Sequence, residues 1–304
     1  MAAELPPEAD WLARVQALRV YARGGQRAPH KPLLLLYALG HFQREGNSGL
    51  EFASCRKDLR QLINTYNANP TSEAYPFKHL ESDLVWEVRT NNNQEVQANA
   101  GWLEGHEAVG FLADGFAEAL TSEPSLLDEC AWSLLNGNFA PTLHNDILEV
   151  VGLTLGLHAA AAEDIDGAKK RVGRTTGFRA VVLRAYEHQC AMCGWDAMDA
   201  GSAIGLEAAH VRGVFADGPN EIANGLSLCI LHHKLYDLGM LGITHDRRVQ
   251  VSENFVARSA LAADHVLGLS GQELLLPQKG YDQPADEHIA WHGETIFKGP
   301  ARAA

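Results

Sequence analysis

The sequence predicts an α+β protein of two domains: a mainly helical N-terminal domain with one small hairpin, and a smaller C-terminal domain organised around cysteines and histidines. Two observations support this prediction. Apolar residues recur at helical spacing through much of residues 9–156, and residues 190–237 combine three of the five cysteines with several histidines. A segment between them changes from Ala-rich and acidic to basic, which favours boundaries at 1–157, 158–176 (a linker) and 177–304.

The N-terminal domain is predicted to begin with three helices. Apolar residues at near-helical spacing indicate the first helix over residues 9–23. Pro32 followed by four leucines indicates a buried helix over 32–43, with proline in its first turn. An apolar stripe indicates the third helix over 55–68.

A short strand and further helices are predicted to complete this domain. Residues 84–88 alternate as a strand does, and the asparagine-rich turn at 91–93 predicts a hairpin onto residues 94–98. The remaining segments have helical patterns over residues 106–120, 124–135 and 141–156.

The composition is that of a globular protein. Of the 304 residues, 46% are hydrophobic and 21% are charged. No apolar run reaches the roughly 18 residues that a transmembrane helix requires. The N-terminus lacks the pattern of a signal peptide, and three cysteines at metal-ligand spacing argue against a disulfide framework. We therefore expect a cytoplasmic protein with no membrane partner.

The net charge of −13 is distributed unevenly. Residues 90–156 contain 10 acidic and no basic residues, whereas residues 1–89 contain 11 basic and 10 acidic residues. All charged residues in 169–184 are basic. The net charge taken alone argues against DNA binding. The distribution of charge nevertheless leaves residues 1–89 and 169–184 available for contact with phosphate groups. The basic run is also consistent with a solvated linker and helix face.

The C-terminal domain contains two pairs of soft metal ligands. Cys190 and Cys193 form the first pair, and Cys229 and His232 form the second after 35 intervening residues. Each spacing allows a tight turn to present two side chains to one ion, and four such ligands complete the tetrahedral coordination of Zn²⁺. We expect a structural zinc ion on these four residues, although the adjacent His233 is an alternative fourth ligand.

Two further residues lie between these pairs. They are His210 and Asn224, and His233 and Asp237 follow the second pair. A histidine and an asparagine inside a metal-binding frame, with a second histidine directly after it, are typical of metal-assisted phosphodiester hydrolysis. The segments 207–210, 224–229 and 232–239 resemble the HNH endonucleases of the ββα-metal type, and the resemblance covers about residues 180–300.

This resemblance implies a role for each residue. His210 would be the general base that activates the attacking water. Asn224 would either hold the hairpin or orient His210. His233 would bind a catalytic Mg²⁺ or Mn²⁺ ion that stabilises charge on the phosphate and the leaving oxygen.

The second ligand of the catalytic ion is left open by the sequence. Many HNH enzymes have an aspartate directly before the general-base histidine, and Ala209 occupies that position here. The resemblance therefore leaves Glu207, Asp237 or another residue as the second carboxylate ligand.

Basic and aromatic groups in the N-terminal domain suit a phosphate-binding surface. Arg23 precedes His30 and Lys31, the leucine run follows them, and Tyr75-Pro76-Phe77 lies further along the chain. Their order resembles that in the sulfur-binding domain of McrA-like, phosphorothioation-dependent (type IV) restriction endonucleases, over about residues 1–155. The family often has arginine where Lys31 stands and a small residue where His79 stands. The resemblance implies an apolar sulfur pocket flanked by groups that hold the DNA backbone. The pocket residues would be Tyr75, Pro76 and His79, and the backbone residues would be Arg23, His30 and Lys31.

Together the two resemblances predict a restriction endonuclease that binds phosphorothioated double-stranded DNA and hydrolyses a nearby phosphodiester. One alternative is recognition of a flipped methylated base, which requires an aromatic cage, and the sequence offers only scattered aromatics. A second is a DNA-binding protein with an inactive HNH fold, which Ala209 favours. A homodimer and the DNA sequence preference are left open.

Overall fold

The computed structural model describes residues 10–19, 22–23, 26–69, 71–91, 94–156 and 177–303. The chain divides into two compact units. The first comprises residues 1–21, 28–138 and 145–162, and the second comprises residues 22–27, 139–144 and 163–304. The predicted linker, 158–176, lies outside the described residues.

The first unit is mainly helical, as the sequence predicts. Its longest helices are α2, whose leucine run at residues 33–36 is fully buried, and α3, whose apolar stripe faces the core. Gly40 allows α2 to pass close to residue 151, because a Cβ there would lie 2.2 Å from the Val151 carbonyl oxygen. In chain order, helices α1 to α8 cover Trp11–Gln16, His30–Glu45, Phe52–Tyr66, Ala74–His79, Ala100–Gly105, Asp114–Ser122, Pro124–Asn138 and His144–Val151.

The strands before residue 156 are short. Ala22–Arg23 (β1) pairs antiparallel with Gln26–Arg27 (β2), and both lie in the segment that belongs to the second unit. The sheet of the first unit has the antiparallel order β3-β5-β4. Its strands are Leu50–Glu51 (β3), Trp86–Arg89 (β4) and Val109–Leu112 (β5).

The predicted hairpin onto residues 94–98 is wrong, because β4 pairs with β5 instead. Residues 94–98 are mostly polar and exposed, whereas β5 buries every second residue. The predicted helix over 106–120 is therefore divided into β5 and α6. The predicted first helix also ends earlier, at Gln16.

The second unit contains the predicted two-stranded ββα arrangement. Leu206–His210 (β8) pairs along its whole length with Gly225–Cys229 (β9), and Ile230–Asp237 (α10) follows β9 directly. Residues 177–185 form the preceding helix, α9. The other elements are the pairs Met198–Asp199 (β6) with Ser202–Ala203 (β7) and Leu241–Ile243 (β10) with Val249–Val251 (β11), and the helices Ala260–Val266 (α11) and Asp286–Thr295 (α12).

The core of the second unit fixes the hairpin against its neighbours. Leu226 and Leu228 of β9 are fully buried among apolar residues of α9, β8, β10 and β11. Among the described helices of both units, none is long and apolar enough to cross a membrane.

Candidate functional site

The hairpin and α10 bring the predicted nuclease residues to one part of the second unit. His210 is the last residue of β8, and its backbone pairs with Gly225 of β9. Asn224 directly precedes β9, and His233 lies on α10. Residues that are far apart in sequence therefore become neighbours through strand pairing.

The four predicted zinc ligands form one cluster. The ligand atoms of Cys190, Cys193, Cys229 and His232 all lie within 4.8 Å of one another. The Nδ1 atom of His232 is 3.3 Å from the Cys229 sulfur and 3.6 Å from the Cys190 sulfur. A tetrahedral zinc ion with bonds of about 2.0–2.3 Å places its ligand atoms roughly 3.3–3.8 Å apart. The donor set and its spacing therefore fit one metal ion.

A backbone carbonyl orients the histidine of this cluster. The Nε2–H group of His232 donates to the carbonyl oxygen of His265 at 3.0 Å, which leaves Nδ1 facing the cysteines. Such a partner on the second ring nitrogen is typical of histidine metal ligands. Burial disfavours the charged imidazole, but the hydrogen bonds with Cys190 and Cys229 outweigh it and raise the pKa of His232 to about 10.

The imidazole of His210 is held by two side chains. Its Nε2 atom lies 2.8 Å from Oδ1 of Asn220, and its ring stacks on Phe178 with 4.2 Å between centroids. Burial lowers the pKa of His210; the Asn220 hydrogen bond opposes this effect, and the charge of His233 adds to it. The net result favours the neutral imidazole that a general base needs.

Asn224 makes the contacts of a residue that holds the hairpin loop. Its side chain is completely buried. Its Oδ1 atom accepts from the Arg212 amide at 2.8 Å, and its Nδ2 donates to the carbonyl oxygens of Arg212 and Pro219. These bonds fix the backbone between the two strands, so they match the first of the two roles expected for Asn224.

His233 lies between two carboxylates. Its Nδ1 atom is 2.7 Å from Oε2 of Glu207, and its Nε2 atom is 3.4 Å from Oδ2 of Asp237. Burial disfavours the imidazolium, but the bond to Glu207 and the negative charges of both carboxylates raise the pKa of His233.

The two carboxylates differ in environment. A hydrogen bond with His233 lowers the pKa of Glu207, whose side chain is 44% exposed. Burial raises the pKa of Asp237, whose side chain is 11% exposed. One metal ion binds only one nitrogen of an imidazole, so the two carboxylates compete as its second ligand. Glu207 is the more accessible and the more strongly anionic of the two.

In the first unit, three of the predicted DNA-binding residues form an aromatic group. His30 is the first residue of α2, and Tyr75 and His79 lie on α4. The Tyr75 ring is 5.4 Å from the His30 ring, edge-on, and 4.2 Å from the His79 ring. Tyr75 is 40% exposed, so the group presents an aromatic face to solvent.

The other predicted residues of this surface are less accessible. Pro76 is buried, and Lys31 is buried with its ammonium group 2.6 Å from Asp83. Burial, followed by the charges of Lys31 and His79, lowers the pKa of His30 to about 4, so this imidazole is neutral at physiological pH. Arg23 lies in β1, and its side chain is outside the described part of the structure.

Sequence reasoning did not find three supporting residues. Asn220 contacts His210, Asp83 pairs with Lys31, and Glu73 precedes α4 and binds Arg56 and Arg60 of α3. Their partners are remote in sequence or lie across a loop, so neither spacing nor periodicity could identify them.

The chain matches two protein families. Residues 8–155 match the ScoMcrA-like DNA sulfur-binding domain, and residues 190–244 match the HNH endonucleases. No curated protein matches the chain.

Solved structures similar to the chain include three that differ in coverage. The sulfur-binding domain of SprMcrA complexed with phosphorothioated DNA is 23% identical; the match covers 47% of this chain and 93% of that chain, with a TM-score of 0.42. The type IV phosphorothioation-dependent restriction endonuclease ScoMcrA is 23% identical over 50% of this chain and 30% of that chain, with a TM-score of 0.40. The modification-dependent TagI restriction endonuclease is 24% identical over 39% of this chain and 36% of that chain, with a TM-score of 0.27.

The family matches confirm both resemblances predicted from the sequence. The chain combines a ScoMcrA-like DNA sulfur-binding domain at residues 8–155 with an HNH endonuclease domain at residues 190–244.

Proposed function

We propose that this protein is a modification-dependent restriction endonuclease of the cytoplasm. Its first unit binds phosphorothioated double-stranded DNA, and its second unit hydrolyses a nearby phosphodiester. The observation that carries the proposal is the presence, on one chain, of a DNA sulfur-binding domain and an HNH domain in which His233 lies 2.7 Å from the Glu207 carboxylate.

In this proposal, His210 accepts the proton of the attacking water. The lowered pKa of His210 keeps its imidazole neutral near pH 7, as this role requires. His233 and Glu207 would hold a divalent ion, Mg²⁺ or Mn²⁺, which supplies charge stabilisation at the phosphate when bound. Asn224 keeps the loop between β8 and β9 in place.

The cysteine cluster would hold a structural zinc ion on Cys190, Cys193, Cys229 and His232. The hydrogen bond from His232 to a carbonyl supports this assignment, because it presets the ring for a metal. His232 and His233 are adjacent on α10, so an ion in the cluster would fix the start of the helix that presents His233.

We assign phosphorothioate recognition to Tyr75, His79 and the buried Pro76 of α4. Sulfur is larger and less hydrated than a phosphate oxygen, so it loses less hydration free energy when it leaves water. An oxygen placed there without a hydrogen bond costs about 1–3 kcal/mol, which corresponds to about 10- to 100-fold discrimination. Arg23 and Lys31, with His30, remain the proposed contacts to the DNA backbone. The ion pair with Asp83 reduces the net charge that Lys31 offers.

The deciding experiment compares duplexes of one sequence with and without a single phosphorothioate link of defined stereochemistry, in Mg²⁺ and in Mn²⁺. We expect cleavage of the modified duplex, and none by His210→Ala, which should bind it as tightly. Binding without cleavage in either ion would favour the inactive-HNH alternative. Equal binding of both duplexes would remove the sulfur proposal and favour recognition of a methylated base.

A further inference from the structure

We infer that Asn220 is a positioning residue for the general base: it selects the tautomer of His210 that leaves Nδ1 free to accept a proton. This inference rests on the proposed nuclease function and adds a residue to it. The two atoms in contact are Nε2 of His210 and the amide oxygen of Asn220, 2.8 Å apart.

The chemistry of the two groups gives the direction of the hydrogen bond. An amide oxygen only accepts hydrogen bonds, so Nε2 must carry the hydrogen. A neutral imidazole has one donor and one acceptor nitrogen, so Nδ1 then has the free electron pair. The nitrogen that would take the proton from water is therefore determined by a residue that does not touch the water.

The same bond also supports the charged state that follows proton transfer. When Nδ1 takes a proton from water, His210 becomes an imidazolium and Nε2–H continues to donate to Asn220. A hydrogen bond from a charged donor is stronger than one from a neutral donor, so the bond gains strength as charge develops. No proton moves to Asn220 in this step.

Phe178 completes the support of His210. Its ring stacks on the imidazole at an angle of 10° between planes, and Phe178 is itself buried in the core of the second unit. This stack restrains one face of the imidazole, and the bond to Asn220 restrains rotation within the ring plane. Asn220 is exposed on the loop before β9, so replacing it should leave the core intact.

The test measures the tautomer and the cleavage rate separately, in the full-length protein with its metals. Imidazole ¹⁵N shifts of His210, assigned with His210→Gln, report which nitrogen is protonated. We expect the Nε2–H form in the unsubstituted protein and a mixture of tautomers in Asn220→Ala. The single-turnover cleavage rate of Asn220→Ala should fall about 10- to 100-fold.

Two further variants separate positioning from general damage to the loop. Asn220→Asp keeps an acceptor and adds a negative charge, so it should keep the Nε2–H form and move the acid limb of the rate profile to higher pH by about 1. Glu221→Gln changes the exposed neighbour and should alter neither the tautomer nor the rate.

The inference is overturned if His210 carries its proton on Nδ1 in the unsubstituted protein. It is also overturned if Asn220→Ala leaves either the tautomer or the rate unchanged. If the unsubstituted protein cleaves no DNA, the proposed function fails, and the nitrogen shifts alone decide the role of Asn220.

Discussion

Glu73 offers a quantitative test of how α4, the proposed DNA-recognition helix, is held in place. It directly precedes α4, which carries Tyr75 and His79, and its carboxylate bonds Arg56 at 2.8 Å and Arg60 at 2.7 Å. The Glu73 side chain is only 2% exposed. Burial favours the neutral acid, but the hydrogen bonds from Arg60, the backbone and Arg56 outweigh it and lower the pKa of Glu73 from 4.5 to about 2.

The change in pKa sets the size of the expected effect. Lowering the pKa from 4.5 to about 2 corresponds to at most about 3 kcal/mol of stability at neutral pH. Arg56 and Arg60 are 29% and 51% exposed, so solvent screens part of this energy and we expect about 2 kcal/mol. The folded-state pKa is the lower one, so this stability is present above pH 4.5 and is lost as the pH falls towards 2.

The perturbation is Glu73→Gln, which keeps the side-chain shape and removes the charge. Urea denaturation of the full-length protein, combined with hydrogen exchange of α3 and α4, would measure the free energy of unfolding of the first unit. The difference between Glu73→Gln and the unsubstituted protein should be about 2 kcal/mol at pH 7 and should shrink as the pH falls below 4.5.

Glu104→Gln is the matched control. Glu104 binds the same Arg56 at 2.7 Å but is 38% exposed, so its substitution should cost only about 0–1 kcal/mol. Equal losses in the two variants, or a loss in Glu73→Gln that does not depend on pH, would refute the reasoning from burial.

Three further predictions concern the proposed sites. Purified protein should contain about one zinc ion per chain, and Cys193→Ser should lose it and destabilise the second unit alone, as metal analysis and hydrogen exchange would show. Tyr75→Ala should remove most of the preference for a phosphorothioated over an unmodified duplex in a binding titration, because it removes the exposed aromatic face. Glu207→Gln should raise the Mg²⁺ concentration needed for half-maximal cleavage about 10- to 100-fold, and more than Asp237→Asn does, because Glu207 is the accessible anion.

Each of these predictions has an outcome that contradicts it. Active protein without zinc would exclude a structural zinc ion in the cysteine cluster. An unchanged preference in Tyr75→Ala would place the sulfur elsewhere. A larger Mg²⁺ effect in Asp237→Asn would assign the second ligand to the buried carboxylate.

The sequence predicted the elements whose signals are local. The leucine run predicted α2, and an apolar stripe predicted α3. The ends of both helices lie within about two residues of the predicted bounds, apart from the start of α3. The strand that pairs with β4 could not be predicted in this way, because both residues 94–98 and residues 109–112 are candidates. Residues 109–112 form the pair, and every second one of them is buried. Pairing between distant segments is a property of the folded core, which single-sequence patterns do not contain.

The candidate sites show the same difference between features with a local sequence signal and features that depend on distant residues. Regular spacing identified the cysteine cluster, because each pair lies in one turn. The environment of Lys31 was not predictable, because its partner Asp83 follows 52 residues later and neutralises a charge that the sequence shows as free. Residue type therefore indicates a chemical group, and only the fold shows whether that group is available to a ligand.

The sequence left open which of two adjacent histidines, His232 or His233, is the fourth ligand of the proposed zinc ion. Helix geometry explains how each histidine can serve a different site. Consecutive residues on an α-helix point about 100° apart, so two neighbouring side chains face different elements. On α10, His232 faces the cysteines, whereas His233 faces Glu207 of β8. Each imidazole also has a different partner on its second nitrogen, a carbonyl oxygen for His232 and the Asp237 carboxylate for His233. In the proposed function, the short helix would connect the structural zinc ion to the catalytic ion, so loss of the first is expected to displace the second.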